Sequence, residues 1–345
     1  MRYYRIVISD PSSGQVYTPP GFSGLLGGAS YTSFVNGQSL PGAWNVELDV
    51  PVIGQATPQG QALCRVWGIS RQEIGQANNL NGKNIQIFAG MQKGLPLANP
   101  AQAGLIVQGT IFQAFGNWIG VDQNIDLVIV PGFGTAAQPG GLGTLAKPKN
   151  LVLNWKAGTP LGAALQTCLS TAFPNQKVTV NVSAQLVRPY DEVGFFPTLE
   201  QLAQFCREAS LDIVKTATYA GVSIVAAPNN VISVLDNAQA AAAPAAATQI
   251  NFQDLIGQPT WIQAPSIQLK TVMRADLSVG GSIKMPAAVV TNTAAAASSL
   301  LNQQATFQGT FLTVSMRHVG NFRNPSADAW VTVIDAAPNQ VGSNT

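Results

Sequence analysis

Residues 255–286 read LIGQPTWIQAPSIQLKTVMRADLSVGGSIKMP. The stretch holds no cluster of acids, bases or nucleophiles. Ile256-Gly257-Gln258-Pro259-Thr260-Trp261 is a Gly/Pro-punctuated turn. Ile267, Leu269, Thr271 and Met273 then alternate with Gln268, Lys270, Val272 and Arg274. Ser278-Val279-Gly280-Gly281 turns the chain into Ile283 and Met285, so the reading is turn, strand, turn, strand, closing as a hairpin. Alternation over this length marks a half-buried strand, one face on a core and the other away from it.

Composition points the same way. Among 345 residues, 33 Gly and 22 Pro favour many turns between short strands. Charged residues make up 10%, against about 25% in an ordinary soluble domain. Met285–Met316 and Gly94–Val121 carry no charge at all. So little charge fits either a membrane protein or a subunit whose surface is covered by partners, because interface cores are depleted in charge. Every apolar run is interrupted by Ser, Thr, Asn or Gln before it reaches the ~20 residues of a spanning helix. The opening MRYYRIVISD passes directly into a strand pattern, so neither a secretion address nor stable membrane insertion is expected. A net charge of +2 without any Lys/Arg run gives no case for nucleic acid.

Residues 1–148 read as a first β domain. Its strands are expected around Ile6–Ile8, Trp44–Val50, Leu63–Ile69, Ile85–Ala89, Leu105–Phe115 and Ile125–Val130. Thr18–Gly42, rich in Gly, Pro and Ser, is expected to be a long loop, and Gly132–Pro148 an irregular exit. Residues 149–237 change character to an α+β insert. Thr159 with Pro160 opens one helix, carrying Leu161, Leu165, Cys168 and Leu169 on its apolar face. Thr198-Leu199-Glu200-Gln201 is a capping-box signal for a second helix, with Leu202, Phe205, Cys206 and Ala209 on one side. Val178–Val182, Ile213–Tyr219 and Gly221–Ala226 are expected strands. Residues 238–247, AQAAAAPAAA, read as a linker, and residues 248–345 return to β, with Thr293–Gln304 an extended loop.

The two β regions resemble each other. Gly82–Ile87 (GKNIQI) matches Gly280–Met285 (GSIKM after its first Gly), Gln108–Phe112 (QGTIF) matches Gln308–Leu312 (QGTFL), and Leu127–Ile129 falls where Val331–Val333 would. The offsets of 198, 200 and 204 are nearly constant and in one order, which indicates two related β modules separated by the insert.

Candidate chemistry is sparse. Gly132-Phe133-Gly134-Thr135-Ala136-Ala137 follows a strand like a dinucleotide fingerprint, but Gln138-Pro139-Gly140-Gly141 forbids the helix it needs. Gly140–Thr144 lacks the GK[ST] of a phosphate loop. His318 is the single histidine and reads as structural. Asp191 and Glu192 are adjacent, so in a strand they point to opposite faces. Asn181-Val182-Ser183 is a formal sequon inside an expected strand. Cys64, Cys168 and Cys206 have no CxxC spacing and read as buried free thiols. No catalytic, metal-binding or cofactor-binding residue is assigned, no cofactor is expected, and partner-binding residues are left open.

Four groups of residues, spanning nearly the whole chain, carry a resemblance to a known family. They are Arg65–Ile69 running to Leu80–Lys83, Ala89-Gly90 and Gln108–Ile111; Gly158–Leu161 with Phe196–Ala203; Gly257–Trp261 through Arg274–Leu277 and Gly280; and Arg317–Gly320 with Ala329–Thr332. In order and spacing they resemble the baseplate hub (tail-hub or late-control) proteins of contractile-tailed bacteriophages, whose fold is shared with the amino-terminal part of type VI secretion spike proteins. The resemblance implies a mainly β chain with an α+β insert and two barrel-like hub domains. Three subunits would form a pseudo-six-fold ring around a channel. It implies a non-enzymatic, structural homotrimer of the virion tail, assembled in the host cytoplasm. That trimer would join a six-fold tail tube or tube initiator to a three-fold central spike, with wedge proteins and the tape measure protein as further partners. A cell-wall hydrolase or a glycan-binding β protein at a tail tip are the alternatives, the latter because six Trp are present.

Overall fold

The computed structural model describes residues 1–54, 61–92, 99–132, 150–216, 219–227, 231–238, 247–263, 266–286 and 309–338. In chain order its elements are β1 (Arg2–Ser9), β2 (Tyr31–Thr32), β3 (Phe34–Val35), β4 (Gln38–Ser39), β5 (Asn45–Val52), β6 (Ala62–Trp67), α1 (Arg71–Gln76), β7 (Asn84–Met91), β8 (Gly104–Ile119) and β9 (Asp122–Pro131). The insert follows with β10 (Leu151–Trp155), α2 (Leu161–Ala172), β11 (Lys177–Asn181), β12 (Glu192–Phe196), α3 (Leu199–Val214), β13 (Ser223–Ala227) and β14 (Val231–Leu235). The last part carries β15 (Thr248–Gln249), β16 (Thr260–Gln263), β17 (Ser266–Val272), β18 (Ser282–Lys284), β19 (Thr310–Asn321) and β20 (Trp330–Pro338).

The fold is mainly β. Strands from both β regions join one 13-stranded sheet, ordered β16-β17-β20-β19-β5-β6-β9-β8-β7-β1-β2, with β18 on β19 and β15 on β18. The sheet curls twice. Inward residues of β1, β5, β6, β7, β8 and β9 share one core with Tyr4, Ile6, Leu48, Val66, Ile87 and Leu127 at its centre. A second core gathers Ile267, Leu269, Ile283, Phe311, Met316 and Ile334. Each such aliphatic side chain, fully buried, contributes ~1.5–3 kcal/mol of transfer free energy, so these two cores carry most of the sheet's stability.

The pairing proves the repeat at the level of topology. In the first module the order is β5-β6-β9-β8-β7 and in the second β16-β17-β20-β19-β18, antiparallel at every step. Both long hairpins carry a bulge at the same place, between Ile111 and Gln113 in β8 and between Thr313 and Ser315 in β19. Just before it, Ile111 pairs with Ile129, and Thr313 with Ala336. Matching bulge to bulge keeps the correspondence of Ile85 with Ile283 but moves the others. Ile111 answers to Thr313, two residues beyond the sequence match. Leu127-Val128-Ile129 answers to Ile334-Asp335-Ala336 rather than to Val331–Val333. Each bulge leaves an extra residue unpaired and sets successive buried positions three apart, Ile111 to Ala114 and Thr313 to Met316, so similarity by eye drifts along the strand.

Within residues 255–286 the expected hairpin of β17 with β18 does not form; the adjacent strands that pair antiparallel there are β16 and β17. β17 pairs with β16 and β20, and β18 with β19 and β15, so β20 and β19 stand between them. The expected alternation holds at Ile267, Leu269, Thr271 and Met273, all at most 1% exposed, but Arg274 turns inward as well and is also 1% exposed.

Thr18–Gly42 is no unpacked loop. Leu26 and Tyr31 lie in the first core, β2 pairs with β1, and the Ser30 and Ser33 hydroxyls accept from the backbone N–H groups of Ile8 and Tyr4. Small polar side chains here complete the hydrogen bonding of the β1 edge.

The insert stands on its own core, with Leu153, Trp155, Leu165, Cys168, Leu202, Cys206 and Val234 buried under two small sheets, β10-β12 and β11-β14-β13. α2 begins at Leu161 with Pro160 as its cap, while the Thr159 hydroxyl donates to the Lys156 carbonyl instead of capping. Thr198 caps α3 by accepting from Gln201 N–H. Ile213 and Val214 belong to that helix, which ends at Lys215 in a left-handed conformation, so the strand expected at 213–219 is absent from its described part. Residues 133–148 of the exit, 239–246 of the alanine tract and the whole 293–304 tract lie outside the described residues.

Candidate functional site

The feature that organises the molecule is the seam where the second module meets the first. Met316–Asn321 of β19 pair antiparallel with Glu47–Val52 of β5, making two curled sheets into one. Met316 sits in the second core, whereas Trp330 and Met273, also from the second module, sit in the first. The Trp330 indole donates to the Gly90 carbonyl at 3.0 Å, and its ring lies over Gly320, where a Cβ would come within 2.7 Å of it. Phe322 continues the aromatic contact, edge-on to Tyr4 at 4.9 Å and to Trp330 at 6.1 Å. Only glycine at 320 lets the indole close the mouth of the neighbouring core.

A buried polar layer separates the two cores. Arg274 donates to both oxygens of Asp276, at 2.7 and 2.5 Å, and reaches Asp254 at 3.3 Å. Asp254 is 1% exposed; it caps its own short turn through Asn251 N–H and accepts from Gln102, a first-module residue, at 3.3 Å. The Ala275 N–H donates to the Gln102 carbonyl at 2.7 Å, which ties the same loops together. Thr332 Oγ1 accepts from Arg274 N–H and lies 2.9 Å from His318 Nδ1. Burial pulls the His318 pKa down to about 4, so the imidazole is neutral at pH 7. Two carboxylates around one fixed guanidinium make a clamp, since a buried ion pair holds only where geometry is good and its remaining oxygens are engaged. Beside it lies a cavity of about 150 Å³, walled by Val52, Leu105, Val225, Leu277 and Met316, with Asp276 and His318 at one side.

Charged rungs cross the opposite face of the sheet. Arg317 forks onto Asp49 at 2.7 and 2.6 Å, and Asn321 donates to Glu47 at 2.9 Å, both across the β19–β5 seam. Arg65 pairs with Asp126, which also accepts from Asn117 at 3.1 Å. These groups are part-exposed, where a pair is worth ~0–1 kcal/mol, so the rungs set register more than they stabilise.

The residues singled out in the sequence are scattered. Asp191 binds Lys156 Nζ and Ala157 N–H, both at 2.8 Å, while Glu192 turns to Arg188. The two carboxylates therefore serve separate cations. Cys64, Cys168 and Cys206 are free and buried, and burial raises all three thiol pKa values, that of Cys168 to about 11. Gly132 directly follows β9 with φ +145°, and 133–137 of the glycine motif lie outside the described residues. Trp44 packs in the first core, and Trp67 lies under Arg65 at 5.3 Å. Among the described residues no three His, Cys, Asp or Glu gather as a metal site. No described helix is long and apolar enough to cross a membrane. Sequence reading missed Gln102 and Asp254 and set Arg274 on the outward face of its strand; the three meet only at the seam.

No protein-family model matches the sequence, and no curated protein matches it. Solved structures do. The Escherichia coli c3393 protein, described as a type VI secretion component with structural similarity to the T4 bacteriophage tail proteins gp27 and gp5, aligns at TM-score 0.46 and 10% identity, covering 87% of this chain and 75% of that one. A tail protein from Neisseria meningitidis aligns at TM-score 0.44 and 10% identity over 97% and 96% of the two chains. The 43 kDa tail protein of prophage MuSo2 from Shewanella oneidensis aligns at TM-score 0.49 and 8% identity over 97% and 98%. These three solved structures are described as a type VI secretion component and two tail proteins.

Proposed function

We propose that this chain is a structural, non-enzymatic hub of a contractile phage tail. Three copies form a ring of six similar barrel-like modules that adapts a six-fold tube to a three-fold spike. One observation carries the reading: a single chain holds two modules of identical strand order, joined head to tail through β5 and β19. A repeat of that kind gives three chains six equivalent positions while leaving each chain two distinct faces, which is what a six-to-three adaptor requires. A head-to-tail contact either closes into a ring or runs on as a filament, and a tail hub needs the ring. The order and spacing of the four family-like motifs, from Arg65 to Thr332, support the same reading. In this account residues 1–148 and 248–345 form the two hub domains, residues 149–237 the insert, and residues 238–247 the linker. The buried Arg274 clamp and the Trp330 closure keep the two modules of one chain at a fixed angle. Tube, spike, wedge and tape measure proteins are the proposed neighbours in the virion. Negative-stain averages of the purified chain test this directly: a ring with six density lobes and a central channel is expected, and isolated two-lobed particles would refute it.

A further inference from the structure

The seam inside the chain leaves a matching pair of strand edges without a strand partner among the described residues, with Asn81 Oδ1 taking only the Ala114 N–H at the start of one of them. By the bulge and pairing correspondences, β8 is to the first module what β19 is to the second, and β16 answers to β5. Met316–Asn321 of β19 use their outer edge to bind β5. The equivalent part of β8, residues 114–119, has only β9 beside it among the described strands, and β16 is the end strand of the sheet. Exposed apolar side chains cluster on these two edges: Phe115 at 42%, Trp118 at 53% and Ile119 at 73% on one, Ile262 at 52% on the other. An open strand edge bearing large apolar residues invites pairing with another chain.

The geometry points to a second copy of this chain as the occupant: β8 of one subunit pairs antiparallel with β16 of the next, repeating the β19–β5 seam between subunits. This inference rests on the ring reading above and adds its register. In the internal seam Arg317 stands opposite Pro51, and His318 opposite Val50. Carried over, Asn117 stands opposite Thr260 and Gly116 opposite Trp261, which brings Phe115 against Ile262, the residue at the β16 bulge. Two exposed apolar side chains therefore face each other. The chemistry also separates the two seams. Where the internal seam bridges Arg317 to Asp49, the new one offers Phe115 beside Thr260 and Ile262. Arg317 set against β16 would lose its carboxylate, so β16 is matched to β8 and β5 to β19. Sheet continuity around three such seams leaves no open edge at these positions.

A cysteine pair reads the register. Opposed residues of an antiparallel pair have Cα atoms ~4.5–5.5 Å apart, inside the ~7 Å reach of a disulfide. Phe115→Cys with Ile262→Cys, made in the full-length chain and oxidised with copper phenanthroline, is expected to give reducible covalent dimers and trimers on non-reducing gels. Either single variant should stay monomeric there, because the native thiols are buried. Phe115→Cys with Gln258→Cys, four residues or ~13 Å out of register, should also stay unlinked. A trimer in native mass spectrometry that links at Gln258, or at neither position, would overturn the pairing and leave the hub standing. A monomer with no link at any position would overturn both.

Discussion

Arg274→Ala is the most informative single change. Arg274 is 1% exposed and holds Asp254, itself 1% exposed, at 3.3 Å, together with the part-exposed Asp276. Truncation leaves the Asp254 carboxylate without its cation, next to a Gln102 side chain that supplies one neutral donor. Breaking a buried pair in this way costs ~3–5 kcal/mol, because the remaining charge is uncompensated. With a urea slope of about 3 kcal/mol/M, the unfolding midpoint should fall by about 1–1.7 M. Tryptophan fluorescence follows the transition, since Trp330 and Trp44 report the first core that the seam closes. Adding Asp254→Asn removes the stranded charge, so the double variant should be more stable than the two single losses summed, by more than ~1 kcal/mol. A single variant within 1 kcal/mol of the wild type, or strict additivity, would refute the clamp.

Other outcomes follow from the same seam and cores. Gly320→Ala drives a methyl to within 2.7 Å of the Trp330 ring and 3.1 Å of Met273; overpacking of that kind costs ~1–3 kcal/mol, and the loss should appear in the same urea titration. His318 titrates at about 4 when folded and near 6.5 when unfolded, so the unfolded chain binds the extra proton first as pH falls. Stability should therefore decline from pH 6.5 down to about 4, by about 3 kcal/mol at ~1.4 kcal/mol per pH unit, and His318→Gln should remove that part of the slope in melts recorded across the range. Native protein at pH 8 should resist iodoacetamide at Cys64, Cys168 and Cys206, all buried with raised thiol pKa values, and intact mass should show three additions only after denaturation.

The sequence made the strands legible wherever one face meets a core. Alternation located β5, β6, β17 and β9 because Val46, Leu48 and Val50, or Ile267, Leu269 and Thr271, repeat at period two. It also revealed the repeat, since Gly82 and Gly280 both precede short strands at a positive φ that favours glycine. Partner choice was not legible. The strands around residues 267–285 looked like a hairpin, yet each pairs with a strand more than 25 residues further on. Registers were not legible either, because bulges at Phe112 and Val314 shift them and set the buried positions on either side three residues apart. Ile213 and Val214 read as strand from their β-branched side chains, but the helix face of Leu202, Cys206 and Ala209 carried the chain on. The Arg274 clamp was hidden for a similar reason: its partners stand 20 residues before it, two after it, and in another module. An exposed-looking position in an alternating run cannot announce a cation called inward by distant carboxylates.

The hub reading stands most directly on subunit number. Native mass spectrometry of the purified full-length chain at micromolar concentration should give one dominant species at three times the 36.1 kDa chain mass. A dominant 36.1 kDa monomer under the same conditions would contradict it.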